Sequence, residues 1–228
     1  MSAPALAYDA GLDARARLSL GSSHDAIYHM VEAALDARGV KGGTLVDVGC
    51  GGGGLWRVVG HRFSRYTGLD AVRYDSFPAD QEFHRADLDG AQWPVQDGSA
   101  DVVTAVETIE HLENPWAFMR RISALSRPGA WIMVTTPNQL SGLSLLTLIT
   151  RRRFSGFQDA HYPAHRTALL ESDLWRTALA AGLEPVETAY SLSGRLPLMP
   201  WHYPRTLARV FPRLLSDNLM IVARKRTS

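Results

Sequence analysis

Apolar residues along the chain follow two alternating patterns. Short continuous apolar runs predict buried β-strands, and between them apolar residues recur every three or four positions, as on one face of a helix. The clearest helix begins at Ser22 or Ser23 and extends to about Arg38. Its predicted buried residues are Ile27, Met30, Val31, Ala34 and Leu35. Further helices are predicted from residue 55, over 115–126 and over 169–181.

Seven apolar runs have the length and composition of strands. They are residues 44–48, 66–69, 81–85, 101–106, 130–135, 183–189 and 218–224. Because these runs alternate with helices, the chain is predicted to be an α/β protein whose seven-stranded, mostly parallel sheet is covered by helices on both faces. The last two strands are predicted to be antiparallel neighbours.

Two stretches fit no element of this alternation, residues 138–166 and 191–216, and both are long for simple connections. The first contains an apolar run followed by Arg151, Arg152 and Arg153. It is interpreted either as a helix over the sheet's end with its arginines in water, or as a lid whose apolar face meets a lipid-like or aromatic substrate. The second stretch is predicted to cover the same cleft, with Trp201 and Tyr203 lining an acceptor pocket.

Composition is that of an ordinary globular protein, and the 228 residues are predicted to form one domain. A formal charge of +1 argues against DNA or RNA as a partner, and it leaves the oligomeric state open. The single cysteine, Cys50, excludes an internal disulfide. Residues 1–20 lack the apolar core of a secretory signal, and the longest apolar stretch, 143–149, is too short to span a membrane, so a cytoplasmic location is expected.

The strand at 44–48 leads directly into a glycine-rich turn, Gly49 to Gly54, that precedes a helix. Such a turn brings backbone against a ligand, because glycine lacks the Cβ atom that would block close approach. Taken alone it leaves two alternatives open. Gly49, Gly51 and Gly54 satisfy the dinucleotide pattern G-x-G-x-x-G, and Cys50 within the turn is a possible nucleophile.

Three aspartates at the ends of successive strands help to decide which ligand the glycine-rich turn binds. Asp47 precedes the first glycine by two residues, where a carboxylate can order the turn and accept from the ammonium group of a methionine moiety. Asp70 is placed to accept from two ribose hydroxyls, and Asp87 from an adenine amino group. A nicotinamide-dependent oxidoreductase would need a catalytic Tyr-x-x-x-Lys or a similar motif beside the cleft. It is disfavoured because the only lysines, Lys41 and Lys225, lie far from the predicted cleft.

These residues resemble the motifs of class I S-adenosylmethionine-dependent methyltransferases. The segment 45–53 is similar to their first motif, Asp70 to their ribose-binding acid, and the stretch 93–103 to the approach to their fourth strand. Pro128-Gly129 resembles their turn before the fifth strand, and the likeness covers roughly residues 25–190. It implies a Rossmann-like fold and S-adenosylmethionine as methyl donor. The implied donor contacts are Asp47, Gly49, Gly51, Gly53, Asp70, Asp87, Leu88 and Val106.

Across the predicted cleft, the fourth strand is followed by Glu107, Glu110 and His111. Burying ionisable side chains costs free energy, so their presence at the end of a buried strand indicates a functional role. If residues 107–111 form a helical turn, these three side chains share a face. Such a set suits Mg²⁺, Mn²⁺, Fe²⁺ or Zn²⁺. The alternative is a structural turn with His111 acting alone as a base or as part of a lid.

The pattern E-x-x-E-H resembles two groups of enzymes, the ubiquinone-biosynthesis O-methyltransferases and the small-RNA 3′-terminal 2′-O-methyltransferases. His165 matches the later metal-binding histidine of the second group, and His161 is a second candidate. The sequence is therefore interpreted as a methyltransferase that methylates oxygen on a small molecule or glycan, with Glu110 and His111 as catalytic residues. The alternatives are an RNA-end 2′-O-methyltransferase and a non-catalytic methyltransferase-like partner protein.

Overall fold

The computed structural model describes residues 21–197 and 199–227. The predictions made for residues 1–20 lie outside these residues. Within the described ranges, no helix combines the length and apolar character needed to cross a bilayer.

Seven strands form one sheet. They are β1 (Thr44–Val48), β2 (Arg65–Asp70), β3 (Glu82–Arg85), β4 (Ala100–Ala105), β5 (Ser126–Pro137), β6 (Leu183–Tyr190) and β7 (Asn218–Lys225). Their order across the sheet is β3-β2-β1-β4-β5-β7-β6, with β1 to β5 parallel and β7 antiparallel to both of its neighbours. The predicted seven-stranded, mostly parallel sheet is confirmed, including the antiparallel pairing of its last two strands.

Six α-helices accompany the sheet within the described residues. They are α1 (Asp25–Ala37), α2 (Gly54–Val59), α3 (Pro115–Leu125), α4 (Gly142–Arg151), α5 (Glu171–Ala180) and α6 (Arg205–Val210). Short 3₁₀ turns lie at Gly60–Arg62, Ile109–His111 and Asp159–His161.

Two hydrophobic clusters, one on each face of the sheet, form the core. One contains Phe118 and Met119 of α3 with Leu174 of α5, and the other contains residues of α1 and α2. All five residues predicted to be buried in α1 are buried. Because β1 and β4 are covered on both sides, their carboxyl ends are held rigidly at one edge, where the turns that follow them meet.

The structure differs from the predictions at some boundaries. His24 caps α1 in place of Ser22 or Ser23, because its Nδ1 accepts from the Ala26 N–H over 3.3 Å. Strand β5 begins at Ser126, four residues before the predicted start at 130, and its pairing with β4 is irregular between Ser126 and Trp131. The two unassigned stretches contain α4 and α6 respectively.

Candidate active site

A cavity of about 580 Å³ opens at the carboxyl ends of the parallel strands. One wall is formed by the turn after β1 and by the ends of β2 and β4. The opposite wall comes from residues 155–165 and 193–218, in or directly after the two stretches predicted to lie on the acceptor side. Open parallel sheets bind ligands at this edge. The cavity is therefore the candidate active site.

Backbone contacts close the turn after β1 and leave no room for side chains. The Gly49 N–H donates to the Leu69 carbonyl oxygen over 2.7 Å. Gly49 has a φ of +76°, and a Cβ atom there would overlap the Thr108 hydroxyl. Gly51 has a φ of +52°, and its Cβ atom would overlap the Gly21 carbonyl oxygen. Both positions line the cavity and both require glycine.

Replacing Gly49 by alanine is expected to lower the free energy of unfolding by about 3 kcal/mol, because the change adds steric overlap to an unfavourable left-handed backbone. Gly98→Ala is the matched control. Gly98 has a φ of +68°, but no atom of the residues that the structure describes lies within 4 Å of a Cβ atom there, so about 1 kcal/mol is expected. Urea unfolding measures both values. Equal losses in the two variants would contradict the steric argument at Gly49.

Seven of the eight predicted donor contacts lie on the cavity wall. These are Asp47, Gly49, Gly51, Asp70, Asp87, Leu88 and Val106. The eighth, Gly53, does not. It precedes α2 in the left-handed conformation, and a side chain there would meet Pro78. Its glycine is explained by the geometry of the turn.

Asp47 is buried at the end of β1 and held by two hydroxyl groups. Its carboxylate accepts from Tyr66 Oη over 3.0 Å and from Thr104 Oγ1 over 2.7 Å. Burial raises the pKa of this carboxyl to about 6, although both hydrogen bonds oppose the rise. A positively charged group bound beside Asp47 would favour the ionised form.

The titration of Asp47 predicts that the protein loses stability as pH rises. Its pKa is 3.8 ordinarily and about 6 in the folded protein, so between these values the folded state holds a proton that the unfolded chain has released. From about pH 5 to about pH 7, the wild type is expected to lose roughly 1 kcal/mol of unfolding free energy relative to Asp47→Asn. Chemical denaturation at both pH values measures this loss. The same pH dependence in both proteins would contradict it.

Asp70 lies at the end of β2 and accepts two backbone N–H groups. Gly51 N donates over 2.8 Å to one carboxylate oxygen, and Val72 N donates over 3.2 Å to the other. Burial raises its pKa, while these hydrogen bonds favour the charge. Asp87 is half-buried, and its Oδ1 accepts from the Asp89 N–H over 3.0 Å. The predicted ribose and adenine contacts thus share one wall with the glycine turn.

Glu107 does not adopt the predicted helical turn. Its φ is +49°, and the 3₁₀ turn begins only at Ile109. The Glu107 carboxylate accepts from Thr135 Oγ1 over 3.0 Å and from Asn218 Nδ2 over 2.7 Å. Burial and the nearby Glu110 raise its pKa well above the ordinary value. The structure therefore ties Glu107 to β5 and β7 and leaves it outside the cluster of possible metal ligands.

Glu110, His111 and His165 form that cluster, with one potential ligand atom from each lying within 4.8 Å of the others. Glu110 is completely buried. Its Oε2 accepts from Thr136 Oγ1 over 3.3 Å, whereas its Oε1 has no hydrogen-bond partner among the described residues. Burial raises the pKa of Glu110 to about 8. A buried carboxylate oxygen without a partner beside two imidazoles is a donor set that fits a divalent cation.

Both imidazoles of the cluster are oriented by backbone carbonyls. The Nδ1 atom of His111 lies 2.9 Å from the Ala164 carbonyl oxygen, and that of His165 lies 2.6 Å from the Gly156 carbonyl oxygen. Burial and the neighbouring His111 lower the pKa of His165 to about 4, so this ring is neutral near pH 7. A carbonyl bonded to Nδ1–H directs Nε2 toward the cluster, as in many metal-binding histidines. His161 stacks on His165 at 5.5 Å but lies outside the group.

The structure adds cavity residues that sequence reasoning missed. His24 and His202 both line the cavity, with ring centroids 5.9 Å apart, although no sequence motif marked either residue. Arg195 and Asp217 also line it, joined by an ion pair of 2.7 Å. The prediction for Trp201 was wrong, because its side chain is 68% exposed and does not reach the cavity wall.

The remaining predicted residues lie apart from this chemistry. Tyr203, predicted with Trp201, is not part of the cavity wall. Cys50 does line the cavity, but burial raises the pKa of its thiol well above the ordinary value. A thiol in that state is a poor nucleophile. The geometry therefore favours the cluster around Glu110 over Cys50 as the reactive part of the site.

Comparison with known sequences gives a consistent result. A family model described as a methyltransferase domain matches residues 24–188. The chain is 27% identical over 175 residues to the ubiquinone biosynthesis O-methyltransferase of Chromobacterium violaceum, which covers 68% of this chain and 74% of that protein. It is also 27% identical over 198 residues to the protein of the same name from an Azoarcus species, covering 82% of this chain and 80% of the relative.

Solved structures share the fold at low sequence identity. An S-adenosylmethionine-dependent methyltransferase from Archaeoglobus fulgidus has a TM-score of 0.58 and 17% identity, covering 95% of this chain and all of that one. A similar enzyme from Clostridium acetobutylicum has a TM-score of 0.60 and 7% identity, covering 92% of this chain and 94% of that one. Identities this low carry information about the fold alone.

Proposed function

The chain belongs to the S-adenosylmethionine-dependent methyltransferase family, and from this premise we propose that it methylates a hydroxyl oxygen of a small molecule or glycan with the help of a divalent cation. The single observation that carries the proposal is the Glu110, His111 and His165 cluster on the wall of the cavity. A hydroxyl is a poor nucleophile near neutral pH unless its proton is drawn away. An unprotonated amine is already nucleophilic and needs no such cluster.

The donor is assigned to the wall that contains the glycine turn. Gly49 and Gly51 both line the cavity without a side chain, which fits close approach of a ligand to the backbone. Asp47 would hold the ammonium group, Asp70 the ribose hydroxyls, and Asp87 with Leu88 the adenine. The bound donor supplies a methyl group on a sulfonium, whose transfer requires in-line alignment with the acceptor oxygen. The residues of this wall contribute that alignment.

The cation is assigned to Glu110, His111 and His165. When bound, such a cation lowers the pKa of a hydroxyl that approaches it. The chain's own residues then have two tasks. Glu110 supplies negative charge, because a bound cation would favour its ionised form although burial raises its pKa to about 8. The carbonyls of Ala164 and Gly156 hold the two imidazoles through Nδ1–H, which leaves each Nε2 for the cation, and the hydroxyl proton passes to water. His111 is the proton acceptor only where no cation occupies its Nε2.

The acceptor side of the cavity supports a polar acceptor. Ser193, Arg195, His202, Asp217 and Asn218 all line it, and Asn218 donates to the buried carboxyl of Glu107. Donors and acceptors at this density suit a ligand with several hydroxyl groups more than a purely apolar ring. A sugar or other polyhydroxylated compound fits this wall.

Methyl transfer from donor labelled in its methyl group tests the proposal. The protein is incubated with simple glycosides, with catechols and with RNA oligonucleotides that end in a 3′ diol, and the products are separated and hydrolysed. Label recovered as a methyl ether on a glycoside or catechol is the expected result. Label recovered only on nitrogen or carbon would overturn the assignment to oxygen, and label recovered only on RNA would replace the acceptor class.

A further inference from the structure

Helix α4 is apolar, yet it buries almost none of its apolar side chains. Its ten residues include four leucines and one isoleucine, and the only buried residue is Ser144. Leu146 is 40% exposed and Ile149 is 80% exposed. A surface helix normally turns such residues toward the core. The exposed side of α4 is therefore expected to meet an apolar partner.

Exposed apolar side chains are concentrated around this helix. Of the thirteen large hydrophobic side chains that are exposed among the described residues, ten lie in the stretches 138–166 and 191–216. Four of these ten, including Val210 and Phe211, are on or just after α6. The two stretches are tied together, since the Gly142 N–H donates to the Leu214 carbonyl oxygen over 2.7 Å. An apolar patch of this extent marks an interaction surface.

The same two stretches carry a strong positive charge. They contain eight arginines, no lysine and one aspartate, which gives +7, while the whole chain carries only +1. Arg153, Arg166, Arg195 and Arg213 form ion pairs with acidic side chains. Four others are exposed and have no ion pair within residues 21–197 and 199–227. These four are Arg151, Arg152, Arg205 and Arg209.

We propose that this arginine-apolar face, residues 142–153 and 205–214, binds the surface of a lipid bilayer that contains anionic lipids. Apolar side chains such as Ile149 would enter the boundary between headgroups and acyl chains, and the exposed arginines 151, 152, 205 and 209 would lie at the phosphates. A short helix with exposed aliphatic residues and flanking arginines has the composition of interfacial helices. At ten residues, α4 is suited to lie on the bilayer surface.

Other occupants fit the charge and the apolar area less well. A second copy of the chain would bring two strongly positive faces together, which disfavours dimerisation through this face. Nucleic acid would satisfy the arginines, but it offers nothing to cover Leu146 and Ile149. An anionic bilayer satisfies both requirements. Because both stretches also line the cavity, docking would hold the cavity beside the lipid surface.

Co-sedimentation with vesicles, without methyl donor, tests this surface independently of the proposed chemistry. Vesicles of phosphatidylcholine alone are compared with vesicles containing about one third phosphatidylglycerol, at an ionic strength of about 0.15 M. The full chain should sediment with the anionic vesicles and much less with the neutral ones. Replacing both Arg151 and Arg152 by glutamine should weaken binding about 25-fold, because each positive charge near an anionic surface strengthens binding about fivefold.

The aliphatic contribution is tested by Ile149→Asp, which should weaken binding at least about tenfold. Leu179→Asp and Arg176→Gln are the matched controls, because both residues are exposed on α5 away from the cavity, and these variants should bind like the wild type. Circular dichroism checks that every variant folds. Three results would each overturn the proposal: no binding to anionic vesicles, binding that Ile149→Asp leaves unchanged, or a dimer that Ile149→Asp dissociates. Tight binding to a generic RNA in place of vesicles would do the same.

Discussion

Asp70→Ala is expected to weaken the binding of S-adenosylmethionine by about a thousandfold. In the proposed donor site, the variant would remove two hydrogen bonds from the ribose hydroxyls to a charged carboxylate, each worth about 1.5–3 kcal/mol. It also leaves the Gly51 N–H, which now donates to Asp70 over 2.8 Å, without its acceptor in the glycine turn. Titration calorimetry measures the dissociation constant directly. Because the loss falls on donor binding, the apparent KM for the donor should rise more than kcat falls.

Asp75→Ala is the control for Asp70→Ala. Asp75 is an exposed aspartate in the loop after β2, and it does not line the cavity. This variant should bind the donor like the wild type. Thermal unfolding of both variants separates a loss of binding from a loss of folding. Donor binding by folded Asp70→Ala within about threefold of the wild type would contradict the assignment of the ribose to this carboxylate.

His165→Ala is expected to abolish stoichiometric binding of a divalent cation and to lower methyl transfer by roughly a hundredfold to a thousandfold. Removing one of three protein ligands leaves the cation weakly held, and the stabilisation of the developing alkoxide, worth several kcal/mol, is lost with it. Glu110→Gln should behave in the same way because it removes the negative charge of the cluster. Equilibrium dialysis with Mn²⁺ measures binding, and activity after chelation and on adding back Mg²⁺ or Mn²⁺ measures the functional effect.

His161→Ala and Glu107→Gln are the controls for the cluster. His161 stacks on His165 but lies outside the ligand group, and both oxygens of Glu107 are already hydrogen-bonded to other side chains. Both variants should retain the cation. Full activity of the wild type in the presence of chelator would contradict the metal hypothesis and would leave His111 as a base acting alone.

The sheet and its donor-side wall could be predicted from local sequence patterns. Strands such as β1 and β4 are apolar runs bounded by turn residues, and the structure places their ends within one residue of the predictions. Parallel strands end at one edge, so Asp47, Asp70 and Asp87 had to lie near the glycine turn once the strands were recognised. For the donor-side wall, the local sequence pattern and the topology of the parallel sheet therefore predict the same arrangement of residues.

The acceptor side depended on contacts that no local pattern contains. Glu107 has a left-handed backbone conformation, and its carboxylate accepts hydrogen bonds from Thr135 and Asn218, which are 28 and 111 residues away in sequence. His24 and His202 approach each other from opposite ends of the chain. Trp201 and His202 are adjacent in sequence but lie in different surroundings. An isolated antiparallel β-bridge pairs His202 with Arg195, and both residues line the cavity, whereas the Trp201 side chain is exposed to solvent. Tertiary packing decided each of these placements.

The most direct test of the donor site is titration calorimetry of the wild-type chain with S-adenosylmethionine and, separately, with NADH. The glycine turn alone fits either cofactor, and the three strand-end aspartates are the features that distinguish the two. We predict that S-adenosylmethionine binds at a single site with a micromolar dissociation constant and that NADH shows no measurable heat of binding. Micromolar binding of NADH without binding of S-adenosylmethionine would contradict the assignment of this wall to the methyl donor.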